Sequence, residues 1–167
     1  MTSSEERDLT RPQLRIFPHS QAEFQSKDLL MTWLLTGLRG RGGVYHLTSA
    51  DAVADLPPGS IVLFRYGHEI IGEAVVRKGK ETGSVTGRTL LGEDGEYAAR
   101  VTFAPSSIRL YSPPLPVKQI QQYTEKDISS SAQPYYKLDW CVYGRILKEV
   151  VSRRDQSAGV DGTFIAS

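Results

Sequence analysis

The sequence predicts an α+β fold: a small, curved, mostly antiparallel β-barrel flanked by helices. Three observations predict it. Leu56 to Lys78, LPPGSIVLFRYGHEIIGEAVVRK, reads as a hairpin of two apolar, β-branched strands. Strand-like runs dominate the middle of the chain. Near the end, Trp140, Tyr143, Ile146, Leu147 and Val150 recur at helical spacing on one face. A group of strands followed by helices, without regular alternation, points to α+β rather than to a parallel sheet.

Each element has a local cause. Leu14 to Phe17, LRIF, forms a first strand that Pro18 stops. Ser20-Gln21-Ala22-Glu23 fits a capping box, so a helix is expected from there to Leu35 or Thr36. Phe24, Met31, Leu35 and Leu38 make its apolar stripe, and Gly37 is its expected stop. Val44 to Leu47 reads as a strand, and Thr48 caps a short turn over Ser49 to Asp55. Pro57-Pro58-Gly59-Ser60 turns the chain into Ile61 to Tyr66, because proline fixes φ and glycine accepts positive φ. Gly67-His68 reverses it, and Glu69 to Arg77 returns. Gly72 marks a bulge or a close backbone approach. Lys78 to Gly95, with five glycines, is expected as a long loop, with Val85 to Leu91 a short strand or hairpin inside it. Glu96 to Phe103 and Ser107 to Tyr111 follow as strands, and Pro113 to Pro116 end the sheet. Val117 to Tyr123 is a short helix, and Asp139 N-caps the last one.

At 167 residues the chain is expected to hold one domain, residues 14–151. Residues 1–13 read as a flexible tail and 152–167 as a polar tail or linker. A net charge of +1 excludes a general basic field, so any grip on nucleic acid must be local. The single cysteine, Cys141, excludes an intramolecular disulfide. His19, His46 and His68 match no metal-ligand spacing, so neither metal nor cofactor is expected. No apolar run reaches membrane length, and a cytoplasmic protein is the default. The most basic flexible stretch is LRGRGG, where Arg39 and Arg41 are candidate phosphate ligands and glycines allow close approach.

The segments LRIFPHS, GGVYHLTSA and LPPGSIVLFRYGHEIIGEAVV together resemble the PUA-like superfamily, in particular its EVE and YTH-type branch. The likeness spans Leu14 to Val151. It implies a pocket that receives a flipped, often methylated base. Such a pocket stacks aromatic rings on the base and hydrogen-bonds its edge. Carried onto this sequence, Tyr45 and His46 begin the pocket-lining segment, and Ser20 supplies a hydroxyl after the first strand. Tyr66 stands at the rim, on the strand face it shares with Phe64 and Val62. Trp33 and Trp140 are candidate stacking platforms, although burial is favoured for both, for Trp33 by its large aromatic area and for Trp140 by its place on the helical stripe. Arg39, Arg41 and Arg65 are the phosphate-binding candidates. The family's Trp-Gly-Val-Arg-Asn segment is not reproduced, since Gly43-Val44 is followed by Tyr45-His46.

The resemblance implies a module that recognises a modified or flipped base in DNA. It would serve as the reader of a modification-dependent restriction system, with a nuclease fused or as partner. An RNA-binding PUA-like domain is the first alternative. The second is a small amidohydrolase acting on a modified nucleoside, like those of the neighbouring ASCH branch. That branch's Gly-x-Lys-x-x-Glu-x-Arg pattern is missing, and only Glu69 or Glu73 with Lys78 or Lys80 could stand in for it.

Overall fold

The computed structural model describes residues 11–48, 50–53, 56–88, 94–130 and 133–154, with the side chains of 50 and 80–98 outside the description. The strands are β1 (Leu14–His19), β2 (Val44–Leu47), β3 (Ile61–Tyr66), β4 (Glu69–Arg88), β5 (Asp94–Phe103), β6 (Arg109–Pro116) and β7 (Tyr136–Leu138). The helices are α1 (Lys27–Thr32, continued as a π-turn over Trp33–Leu38), α2 (Val117–Gln121) and α3 (Trp140–Arg153). A 3-10 turn covers Ala50–Val53.

The sheet runs β2-β5-β4-β3-β1-β7, and β6 pairs with β4 beside that path. Among the described residues this path is open, with β2 and β7 at its ends. The mixed α+β class holds. Most pairs are antiparallel, but β1 and β3 run parallel. The first half of β4 pairs with β3 and β6, and its second half with β5. Register shifts at Val76/Lys78 and beyond mark the bend between the halves.

Both faces of the sheet are covered, so β3 is buried along five of its six residues instead of alternating. One face carries Phe17, Val62, Phe64, Ile71, Val101 and Phe103, roofed by Leu30, Leu34 and Leu38 of α1. The opposite face carries Leu14, Ile16, Leu63 and Ile70, roofed by Ile120 of α2 and by Val142, Ile146 and Val150 of α3. Each such side chain contributes about 1.5–3 kcal/mol by leaving water.

Several expectations are corrected. Residues 78–88 and 94–95 are strand and not loop: β4 continues to Arg88 and β5 starts at Asp94, paired from Arg88↔Asp94 upward, while residues 89–93, on which the expected Val85 to Leu91 strand partly falls, lie outside the described residues. Pro18 does not stop β1. It pairs with Arg65 of β3, while β7 reaches only as far as Ile16, so its missing N–H faces no second neighbour. Pro113, Pro114 and Pro116 likewise lie within β6, which pairs in the sheet only with β4. The Ser20 capping box closes one turn, with the Ser20 N–H donating to Glu23 Oε1 at 3.1 Å. The helix proper starts later, where Ser26 Oγ accepts from the Leu29 N–H at 3.3 Å. Its buried stripe is Leu30, Leu34 and Leu38, while Met31 and Leu35 sit at the edge.

Gly72 is a close approach as expected. A Cβ there would lie 2.5 Å from the Arg109 carbonyl oxygen of β6. Gly59 has φ of 93°, as the turn into β3 requires.

Candidate functional site

The C-terminal end of β1 and strand β2 meet α1 around one ring, Tyr45. The two-residue period of β1 puts Phe17 and His19 on the face that packs under α1. Tyr45 is 6% exposed and touches Phe17, His19, Trp33, Phe64 and Phe103, with ring centroids 5.7–6.2 Å apart. Trp33 and Phe24 pack against each other at 5.7 Å. Trp33 is only partly buried and forms the outer wall of the group. Its indole lies across Gly37, one π-turn on, where a Cβ would fall 2.4 Å from Cδ1. Tyr66 extends the group along β3, and its hydroxyl donates to the Phe24 carbonyl at 2.8 Å.

A polar pair sits inside these rings. His19 Nε2 lies 2.6 Å from the Tyr45 hydroxyl, and His19 is 3% exposed. Burial pulls the His19 pKa below its ordinary value, against the raising influence of Glu23. His19 is therefore neutral at physiological pH. An imidazole and a phenol enclosed by rings can read a hydrogen-bonding edge without introducing charge.

Tyr45, Trp33 and Tyr66 are thus brought together. The other candidates are dispersed. His46 points to the far face of β2, where burial, Arg41 and Arg100 lower its pKa in that order. Arg41 and Arg100 stand near His46 on that far face, His46 and Arg100 being register partners. Ser20 is exposed in its turn, outside the ring group. Trp140 lies at the start of α3, 42% exposed and stacked on Tyr143, away from Tyr45.

Two arginines are structural. Arg39 donates to the Ile108 carbonyl at 2.7 Å. Arg65 is fully buried and donates to the carbonyls of Gly67, Ile128 and Ser129 at 2.7, 2.6 and 3.0 Å. Its guanidinium also stands over the Tyr136 ring. With its buried fork directed at three backbone carbonyls, Arg65 has no face for a phosphate. The glycines of LRGRGG end the helix rather than cradle an anion. Gly42 and Gly43 have φ of 71° and 81°, and the Gly43 N–H donates to the Leu38 carbonyl at 2.9 Å.

Glu73, a candidate acid for hydrolysis, is 3% exposed on the opposite face of the sheet. It accepts from Tyr111 at 2.6 Å and from Tyr143 at 3.1 Å, and Arg154 lies 3.6 Å away. Glu69 is paired with Lys27 at 3.1 Å. Among the described residues no cluster of His, Cys, Asp or Glu gathers as a metal site. No helix there is long and apolar enough to cross a membrane.

His19 and Phe24 are the ring neighbours that sequence reasoning missed. The signal was present for His19, which shares its strand face with Phe17.

Comparison of the fold with solved structures follows from this geometry. The YTH domain of Zygosaccharomyces rouxii MRB1, solved in complex with N6-methyladenosine RNA, matches with TM-score 0.50 and 14% identity, over 84% of this chain and 87% of that one. The fold resembles a YTH domain. The Mmi1 YTH domain, solved in complex with RNA, matches with TM-score 0.50 and 10% identity, over 85% of this chain and 79% of that one. A protein of Agrobacterium tumefaciens matches with TM-score 0.51 and 12% identity, over 83% and 92%. No protein-family model matches the sequence, and no curated protein does. The YTH-like likeness is one of fold, carried by the arrangement of strands and helices and not by sequence.

Proposed function

We propose that the protein is a PUA-like reader of a modified base in single-stranded RNA. The observation that carries this reading is the ring group around Tyr45, walled by Trp33 and holding the His19–Tyr45 pair, on a fold like that of YTH domains. A methylated adenine offers two apolar faces and a methyl that aromatic walls bind without charge. Tyr45 and Trp33 would stack on the base once the indole lifts from Gly37. The neutral His19–Tyr45 pair would face its hydrogen-bonding edge.

RNA is preferred to the DNA target expected from sequence, because the fold's similar complexes contain RNA. Glu73, held by two tyrosines and Arg154, supports a binding module rather than a hydrolase.

The test is binding of one RNA sequence with and without N6-methyladenosine, alongside its DNA counterpart. Tighter binding of the methylated RNA, lost in Trp33→Ala while the domain stays folded, is expected. Equal affinity for all three would overturn the reading, and preference for the methylated DNA would restore the DNA target.

A further inference from the structure

We infer that a second nucleic-acid contact lies in the cleft beside Trp140, where one nucleotide of the same strand stacks on the indole. The inference rests on the single-stranded reading above and extends it to a part of the surface remote from Tyr45.

The cleft has a volume of about 360 Å³ and lies between the start of β1, the end of β7 and the first turn of α3. Its lining includes Arg11, Lys126 and Lys137, with Asp139 as its acid, so the excess charge is positive. Trp140 forms a wall and is 42% exposed, unusual for a residue with so much apolar area to bury. It does not collapse into the cleft, because its ring stacks on Tyr143 at 6.1 Å with 24° between planes. Tyr143 is itself fixed, since its hydroxyl bonds Glu73 and accepts from Arg154 at 3.0 Å. One face of the indole is therefore braced by Tyr143, while the ring stays partly exposed. Lys126 is placed by a bond to the Lys137 carbonyl at 2.6 Å.

An exposed flat ring beside three cations matches a nucleotide, with a base for the ring and phosphates for the lysines. The position fits the same strand. β1 leads from this cleft to His19, and its six residues span roughly 17 Å at ~3.3 Å per residue. A strand a few nucleotides long reaches both places.

The test uses the full chain and fluorescence anisotropy with two RNAs, both carrying one central N6-methyladenosine. One is too short to reach the cleft and the other extends well past it on both sides. Trp140→Ala is expected to weaken the long RNA about tenfold and leave the short one unchanged. Lys137→Gln is expected to lower the salt dependence of long-RNA binding by about 0.7 in log–log slope. Loss of methyl discrimination with the Trp140 effect intact would sink the base-reader reading and keep this site. Equal binding of the long RNA by wild type and Trp140→Ala would overturn the site, whatever happens at Tyr45.

Discussion

The Tyr45 hydroxyl lies 2.6 Å from His19 Nε2, with both side chains all but sealed from water. Removing the hydroxyl leaves the ring contacts and strands a buried imidazole nitrogen. Tyr45→Phe is therefore expected to destabilise the domain by about 1–3 kcal/mol. Urea unfolding at neutral pH measures it. The variant should also lose more affinity for the modified base than its stability loss accounts for, because the edge-reading hydroxyl is gone.

His19 gives stability a pH dependence whose sign follows from its lowered pKa. The unfolded chain binds a proton near the ordinary value of 6.5, and the folded chain resists it. Stability is thus full above that value and falls as pH drops below it. His46, also lowered, acts in the same direction. Unfolding curves from pH 7.5 down to 5 should show the fall. His19→Gln should flatten it, and an unchanged slope in that variant would assign the effect elsewhere.

Gly37→Ala tests whether the indole is movable. The new methyl would meet Trp33 at 2.4 Å, and the ring must yield because the backbone does not. Alanine favours the helix by up to about 1 kcal/mol, which offsets part of the displacement. Stability is expected to stay within about 1 kcal/mol of wild type. Near-ultraviolet circular dichroism should change as the indole leaves Gly37, and an unchanged spectrum would show the ring to be fixed.

Arg65→Met separates structure from binding. It leaves the Gly67, Ile128 and Ser129 carbonyls without their donor. A loss of about 2–4 kcal/mol is expected, read as a drop in melting temperature of roughly 5–15 °C. RNA affinity of the folded fraction should be unchanged. A selective loss of affinity instead would return Arg65 to the binding surface.

The tyrosines around Glu73 set the alkaline limit. Burial, then Glu73, raises Tyr143 to about 12 and Tyr111 well above its ordinary value. Their contribution is whole below pH 10 and is lost as pH climbs toward 12. Absorbance of ionised tyrosine should rise together with unfolding there. Glu73→Gln should let the tyrosines ionise at lower pH.

The β3–β4 hairpin was legible because its turn chemistry, strand composition and length agree, and Gly59 and Gly72 do what their positions suggested. Tyr45, Trp33 and Tyr66, all named from the sequence, lie near one another because they are large rings on elements that meet. What escaped was set by neighbours distant in sequence. Whether Pro18 ends a strand depends on how far β7 reaches. Whether Arg65 meets a phosphate depends on the carbonyls of Ile128 and Ser129, more than sixty residues on. Trp140 sits on the same helical stripe as Tyr143 and Ile146, yet it is exposed where they are buried. Periodicity states which residues share a face, not how much of that face is roofed.

Strand β1 lies between β3, to which it runs parallel, and β7, made almost at the end of the described chain. As the polypeptide leaves the ribosome, β1 emerges before both flanks and waits for them. Its first neighbour must loop back past α1 and β2, and its second lies more than a hundred residues further on. Folding is therefore governed by distant pairings and should be slow for a domain of this size. The residue at the end of that strand, His19, acquires its sealed surroundings only as this late assembly completes.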